Sequence, residues 1–353
     1  MAGHKHVVKI GSVCIGGEYP IAIQSMTNSK TTDVKATLQQ IHSLEKAGCD
    51  IVRFTVPDRE AVKAIGKIRE NTAMPLVADI HFNPRLAVEA AAAGVDKIRI
   101  NPGNIGSQEG IRNVVKAYRE HGLPVRIGVN GGSLEKHILA KHGGVTPHAL
   151  AESALYHASL LEKFDFTDIV LSVKSSSVAT TIQANRILAE QSPYPLHLGV
   201  TEAGTPRMGI LKSAVGIGSL LCDGIGNTIR VSLTAPVEDE VAAAKALLEV
   251  CGLKQGIEVV SCPTCGRTEI DLVKIVNQLQ DILERECVKP SRRYKIAVMG
   301  CVVNGPGEAR DADVGIAGGK GEALLFKKGQ IIEKIKEDEI VSRLLKEVHT
   351  DLE

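Results

Sequence analysis

The chain has no tryptophan, only 3% aromatic residues and no surplus of charge of either sign: 42 Lys plus Arg stand against 41 Asp plus Glu, a formal net charge of +1. So few aromatics argue against the stacking platforms that hold single-stranded nucleic acid. Near-neutrality excludes a generic nucleic-acid binder that works by bulk charge and gives no support to a polybasic membrane anchor; a local cationic pocket stays open. No apolar run approaches the roughly 18 residues of a membrane span. The opening residues, Met1-Ala-Gly-His-Lys-His6, lack the apolar core and cleavage pattern of a signal peptide. These absences predict a cytoplasmic protein.

What is present is a chain of 353 residues, 44% hydrophobic and 24% charged, able to bury a sizeable core and too long for one ordinary domain. In a reducing compartment its eight cysteines, at 14, 49, 222, 251, 262, 265, 287 and 301, are expected to be free thiols or metal ligands. From about residue 20 to 250, short β-rich runs alternate with helical periodicity. The strand candidates are Ile21–Gln24, Ile51–Phe54, Leu76–Ile80, Lys97–Ile100, Val125–Gly128, Ile169–Val173, Leu196–Val200 and Thr228–Val231. Gly48, Gly94, Gly122 and Gly252 stand just past helix ends, and Asp33, Ser107 and Thr146 are N-cap candidates. Eight strands and eight helices in strict alternation predict an α/β fold, a (β/α)8 TIM-type barrel; a doubly wound open sheet is the competitor, disfavoured because no Gly-rich dinucleotide turn is present.

Residues 6–20 read as a hairpin under the barrel, which spans 1–252. After a linker at 253–256, residues 257–353 predict a smaller α+β domain: strand, CxxC, a long helix at 269–286, strand, Gly-rich loop, two short strands and a charged helix. The positive excess falls within the first 255 residues.

In such a barrel the C-terminal ends of the strands face the active site. Those positions hold Arg53 on the second strand, Asp79 and His81 on the third, Arg99 and Asn101 on the fourth, and Arg126 and Asn130 on the fifth. Lys174 follows on the sixth, Glu202 on the seventh, and Arg230 with Ser232 on the eighth. Five cations in one opening repel one another, which points to a polyanionic ligand gripped by bidentate arginines. The bland reading is a structural layer paired to Asp79 and Glu202, and it leaves a cationic surplus. The loops Asn101-Pro-Gly-Asn-Ile-Gly106 and Gly128-Val-Asn-Gly-Gly-Ser133 offer backbone N–H groups to phosphate. Gly216-Ile-Gly218 follows no strand and is no nucleotide fingerprint.

Cys262-Pro-Thr-Cys265 precedes Cys301 by 36 residues, and Glu308 follows seven residues later. CxxC spacing lets two thiolates chelate one centre. A structural zinc usually ends in a second CxxC or a His pair, whereas three thiolates and one carboxylate suit a 4Fe–4S cluster with one labile iron; spacing alone leaves both open. The other five cysteines read as buried small hydrophobes.

Gln24-Ser-Met-Thr27, Ala78-Asp-Ile-His-Phe82, Arg99-Ile-Asn-Pro-Gly-Asn-Ile-Gly106, Arg126-Ile-Gly-Val-Asn130, Ser261-Cys-Pro-Thr-Cys-Gly-Arg267 and Gly300-Cys-Val-Val-Asn-Gly-Pro-Gly-Glu308 together resemble the bacterial 4-hydroxy-3-methylbut-2-enyl diphosphate synthase family of the methylerythritol phosphate route to isoprenoids. The resemblance implies reductive ring opening and dehydroxylation of 2-C-methyl-erythritol 2,4-cyclodiphosphate, with electrons from flavodoxin or ferredoxin. It also implies a head-to-tail homodimer in which the cluster of one chain caps the barrel of the other. It places Cys262, Cys265, Cys301 and Glu308 on a 4Fe–4S cluster. Arg53, Arg99, Arg126, Asn130, Lys174, Arg230 and Ser232 fall around the diphosphate with Asp79, His81 and Asn101 nearby, and Glu202 is the proton donor. Gly131 departs from the Ser that many members carry. The rival readings are a non-redox pterin- or sugar-phosphate-binding lyase with a zinc lobe, and a pure binding module. A radical S-adenosylmethionine enzyme is excluded by the lack of a CxxxCxxC.

Overall fold

A computed structural model describes residues 6–80, 83–100, 108–286, 288, 290–301 and 310–352. The chain forms two compact units, Met1–Cys251 and Gly252–Glu353.

The first unit opens with an antiparallel hairpin, β1 (Val8–Ile10) and β2 (Val13–Ile15). Val8, Ile10 and Ile15 pack against Ala22, Ile51, Val77 and Val170, which lie at or near the starts of their strands, so the hairpin plugs the N-terminal end of the barrel with apolar surface. The barrel strands follow: β3 (Ala22–Met26), β4 (Ile51–Thr55), β5 (Leu76–Ile80), β6 (Lys97–Ile100), β7 (Val125–Asn130), β8 (Ile169–Lys174), β9 (His197–Leu198) and β10 (Thr228–Ile229). All pair in parallel, in the order β8-β7-β6-β5-β4-β3-β10-β9. A parallel bridge between Leu171 and Leu196 links the two ends, so the ring is near-closed at that seam.

The helices are α1 (Val34–Ala47), α2 (Arg59–Glu70), α3 (Pro84–Ala92), α4 (Gln108–His121), α5 (Lys136–His142), α6 (Pro147–Glu162), α7 (Val178–Gln191), α8 (Pro206–Cys222) and α9 (Val237–Val250). Two N-cap expectations have their bonds: Asp33 accepts from the Ala36 N–H and Thr146 from the Ala149 N–H. Gly48 ends α1 at φ +87°, a left-handed conformation that a side chain would strain. Ser107 lies outside the described residues.

Two expectations need correction. Strict alternation fails after β7, where a 3-10 turn at Gly131–Ser133 and the short α5 precede α6. Here the turn residues Gly143 and Gly144 split what reads as one long connection. The seventh and eighth strands are only two residues long, His197–Leu198 and Thr228–Ile229, where runs to Val200 and Val231 were expected.

The second unit is a five-stranded sheet, β11 (Ile257–Ser261), β12 (Tyr294–Met299), β13 (Val314–Gly319), β14 (Glu322–Lys327) and β15 (Gln330–Lys336), in sequential order. The first three strands run parallel and the last pairings are antiparallel. Helices α10 (Leu272–Arg285) and α11 (Ile340–Leu352) share its core through Ile275, Leu279, Leu344 and Val348. Three strands follow the loop where two were expected, since the Lys328-Gly329 turn folds the last run back on itself. The long helix starts at Leu272, where Asp271 caps it, and not at 269.

Candidate active site at the barrel mouth

Strand periodicity of two places alternate residues of a barrel strand in its interior. Asp79, Arg99 and Arg126 occupy matched register positions on β5, β6 and β7, so their side chains stand side by side in one layer. Lys174 and Asn130 are matched on β8 and β7. A cavity of about 370 Å³ opens over them. Its wall includes Arg53, Asp79, Arg99, Arg126, Asn130, Lys174, Glu202, Arg230 and Ser232, every barrel site residue expected from sequence that lies among the described residues. His81 and Asn101, with the loop to Gly106, lie outside them.

Glycines make room for these cations. A Cβ on Gly128 would stand 2.8 Å from Arg99 Nε, and one on Gly199 would stand 2.5 Å from Lys174 Nζ. Only glycine leaves those channels open. At Gly131 a Cβ would meet Val145 Cγ1 at 3.0 Å, a tight approach to an exposed side chain.

The charges are held in an unbalanced state. Asp79 pairs with Arg99 at 2.9 Å and more distantly with Arg53 at 3.7 Å. Arg53 otherwise donates through Nε and Nη2 to the Met26 thioether, at 3.1 and 2.9 Å, and Arg230 approaches the same sulfur at 3.5 Å. A thioether is a weak acceptor and a poor partner for two guanidiniums. Arg126 is 2% exposed, and its Nε and Nη1 find no acceptor among the described residues. Burial, then the neighbouring arginines, push Arg126 and Lys174 well below their ordinary ranges. Burial pulls Arg53 to about 9, with Asp79 opposing and Arg230 and Arg99 adding to the fall. Such frustration is relieved by an anion that supplies several acceptors at once.

Three polar groups escaped the reading of strand ends. Lys97 is fully buried at the start of β6, 3.4 Å from Gln24 Oε1. His197 is fully buried on β9: Lys174 Nζ stands 3.2 Å from its Nε2, and its Nδ1 is 2.7 Å from Thr228 Oγ1. Burial and the surrounding cations hold His197 far below the usual imidazole value, so the neutral ring accepts from Lys174 and donates to Thr228. Glu240, on α9, reaches the wall from outside the ring of strands. Period-two alternation from Arg99 back to Lys97 was the available signal for the first; nothing in a helix-borne Glu announces the third. Glu202 stands on the loop after β9 at φ +52°, a left-handed backbone that is uncommon outside glycine.

In the second unit, Cys262 follows β11 and Cys301 follows β12, neighbouring parallel strands that deliver both thiols to one sheet end. The Gly300 N–H donates to Cys262 Sγ at 3.2 Å. Cys265 begins a turn closed by its carbonyl and the Thr268 N–H, and the Thr268 hydroxyl accepts from the Cys265 N–H. Gly300 allows that turn to pack close, since a Cβ would stand 2.8 Å from Thr268 Cγ2. The Arg267 backbone N–H, with help from Thr268 and the Arg267 charge, lowers the Cys265 thiol toward thiolate. This donor set suits a thiolate-bound metal group: soft sulfurs, an N–H aimed at one of them, and glycine-assisted closeness. Among the described residues no three His, Cys, Asp or Glu form a metal-sized cluster; Glu308 lies outside those residues. Of the remaining cysteines, Cys49 is buried and its thiol is pushed up to about 12, whereas Cys222 is exposed at the end of α8, contrary to expectation. Cys287 lies outside the described residues.

Comparison with known proteins decides the family. Residues 5–245 match the GcpE TIM-barrel domain and residues 258–350 the GcpE protein C-terminal domain. The chain belongs to the GcpE family. It is 56% identical over 342 residues to a protein of Ruminiclostridium cellulolyticum named 4-hydroxy-3-methylbut-2-en-1-yl diphosphate synthase (flavodoxin), with 97% of this chain and 96% of the relative covered. A Fusobacterium nucleatum protein of the same name is 54% identical over 354 residues, covering 100% of this chain and 99% of its own length. Among solved structures, the Yersinia pestis dihydropteroate synthase matches with a TM-score of 0.51 at 14% identity, covering 70% of this chain and 98% of its own. The Clostridium difficile type I 3-dehydroquinate dehydratase matches with the same TM-score at 15% identity, over 70% and 98%. At such identity these two support the TIM-type barrel of the GcpE chain and nothing of its chemistry. Among the described residues no helix is long and apolar enough to cross a membrane.

Proposed function

We propose that this GcpE chain catalyses the reaction its relatives are named for, the conversion of 2-C-methyl-erythritol 2,4-cyclodiphosphate to 4-hydroxy-3-methylbut-2-enyl diphosphate, in the cytoplasm. The observation that carries the assignment to the barrel mouth is the pair of arginines, Arg53 and Arg230, that turn to a methionine sulfur in a cavity crowded with cations. Arg53, Arg99, Arg126, Lys174 and Arg230 bind the diphosphate, whose oxygens replace the thioether as acceptors. Asn130 and Ser232, with His81 and Asn101, orient it. Asp79 keeps Arg99 and Arg53 in place between turnovers. Glu202 delivers the proton with which the departing hydroxyl leaves as water, on a loop whose left-handed backbone points it at the cavity.

Cys262, Cys265, Cys301 and Glu308 hold a 4Fe–4S cluster. When bound, that cluster supplies the electrons of the reduction and an iron whose carboxylate ligand can be displaced. Flavodoxin, or ferredoxin, is the electron donor, and the chain works as a head-to-tail homodimer. The GcpE membership and the thiol arrangement of the second unit support this reading.

The test is anaerobic turnover of the cyclic diphosphate with reduced flavodoxin, the product identified by mass. Active protein is brown and contains iron and acid-labile sulfide. A colourless, zinc-loaded protein that still turns over would overturn the cluster assignment. Mixing a Glu202→Gln chain with a Cys301→Ser chain restores activity if subunits exchange and the site draws on both chains; verified exchange without recovery sinks the head-to-tail arrangement.

A further inference from the structure

Among the described residues, Glu240 is the one charged group on the cavity wall that a helix supplies. It rises from the first turn of α9 and is 5% exposed. Its presence runs against simple electrostatics. A carboxylate lowers the positive potential of a site that attracts a polyanion, and its burial is costly unless its bonds repay it.

Those bonds join three separate stretches of chain. The Ser25 hydroxyl of β3 donates to Oε2 at 3.0 Å, and the Leu233 N–H donates to Oε1 at 3.1 Å. Arg230 Nε and Nη2 stand 3.4 Å away on the other side. The next residue along, Thr234, donates its N–H to the Gly204 carbonyl at 2.9 Å, which ties this loop to the one that carries Glu202. The Leu233 side chain is seated against α8 where Gly209 leaves space; a Cβ there would come within 2.6 Å of it. Arg230 has little else to keep it in the cavity. Among the described residues its other partner is the Met26 sulfur, and the nearby Arg53 repels it.

We infer that Glu240 is a positioning residue: it aims Arg230 and fixes the 232–234 loop so that both meet the substrate's diphosphate. The inference rests on the reading of the barrel mouth as the diphosphate site. It makes anion binding depend on a buried negative charge.

The experiment is calorimetric titration of the oxidised holoenzyme with the cyclic diphosphate, at fixed ionic strength, for the parent, Glu240→Gln, Arg230→Gln and the double variant. Charge alone requires Glu240→Gln to bind the anion more tightly. Positioning requires it to bind about tenfold more weakly, and requires the double variant to bind no worse than Arg230→Gln, because the two losses share one route. Steady-state kinetics should place the Glu240→Gln defect in KM more than in kcat, with partial recovery in Glu240→Asp. Unchanged or tighter binding by Glu240→Gln, or additive losses in the double variant, overturns the inference. A parent that binds no cyclic diphosphate instead overturns the reading of the mouth. Ser25→Ala guards against misfolding of the Glu240 variants. It loosens the carboxylate without touching Arg230 and should weaken binding in the same direction by a smaller factor; no change there also counts against positioning.

Discussion

At the barrel mouth the candidate ligand-binding groups are largely buried charged side chains carried on or just after the strands, several flanked by neighbours that fix their place: Gly128 beside Arg99, Gly199 beside Lys174, Asp79 between two arginines. In the second unit they are thiols on turns, with Cys265 exposed and Cys262 and Cys301 half-buried. The mouth is organised in advance and carries the cost in desolvated, mutually repelling cations. The cysteine turn has little such strain. Neighbouring N–H groups draw the Cys265 thiol toward thiolate, the form in which a metal group would bind it. Ligand binding should therefore stabilise the two units differently, the first by relieving repulsion and the second by adding bonds.

The largest effect separates the two regions outright. Replacing Cys301 or Cys262 with Ser should lower turnover by at least about a hundredfold, with loss of the cluster absorbance, while calorimetric affinity for the cyclic diphosphate stays near that of the parent. A parallel loss of affinity would show that the two regions do not act as separable parts.

Arg126→Met tests the converse. The variant keeps most of the volume and removes a buried cation that lacks acceptors. Cyclic-diphosphate binding should weaken by about 1.5–3 kcal/mol with an unchanged cluster spectrum. Thermal stability should not fall, because relief of repulsion offsets the lost contacts. A variant that melts early and binds normally would refute the picture of a strained, ligand-awaiting mouth.

A smaller effect is the pH dependence of binding. Burial, then the surrounding arginines, holds Lys174 well below its ordinary range in the free protein. A bound diphosphate raises it again, so between the two values binding takes up a proton. Affinity then falls as pH rises through the free protein's lowered value, by up to about tenfold per pH unit for each such group. Titrations in buffers of different ionisation heat measure the uptake directly. Binding without proton uptake at any pH below the ordinary lysine value would place Lys174 fully charged in the free protein and remove the linkage.

How much of this was legible in the sequence follows from where each group sits. Lys174 closes its strand and Arg230 follows one, whereas Arg53, Arg99 and Arg126 lie inside theirs; all five line one mouth, and counting alternate strand positions sufficed to group them. Strand pairing likewise brings Cys262 and Cys301 together from 39 residues apart in the chain. The interior polar groups were harder. Lys97 and His197 each open a strand, away from the C-terminal ends that face the active site, and only their period-two relation to Arg99 and to Gly199 marks them as inward-facing. Glu240 could not be seen, because a first-turn acid of a helix ordinarily serves the helix dipole in solvent, and only the tertiary structure turns it inward. The extra helix α5 was missed for a related reason. Its seven residues are too few to show a periodicity of their own beside α6.

Lys97 gives the smallest expected effect and the one that isolates the cost of charge in the barrel. Its ammonium is fully buried, with Gln24 Oε1 at 3.4 Å as its recorded partner, and it does not line the cavity. Burial, then Arg126 and Arg53, pushes it well below the ordinary lysine range. Its folded value is thus below its unfolded one, and below about pH 10.4 the unfolded chain holds the proton more firmly, so the group opposes folding at neutral pH. Lys97→Met fills nearly the same volume without a charge. It should raise stability by about 1 kcal/mol, seen as a higher midpoint in denaturant with an unchanged slope. The gain should shrink as pH rises toward the unfolded lysine value, where the parent no longer bears the cost. A loss of stability, or a gain independent of pH, would mean that the amine is better satisfied than its hydrogen bond to Gln24 implies, and the charge cost assigned to the barrel interior would rest on Arg53, Arg126 and Lys174.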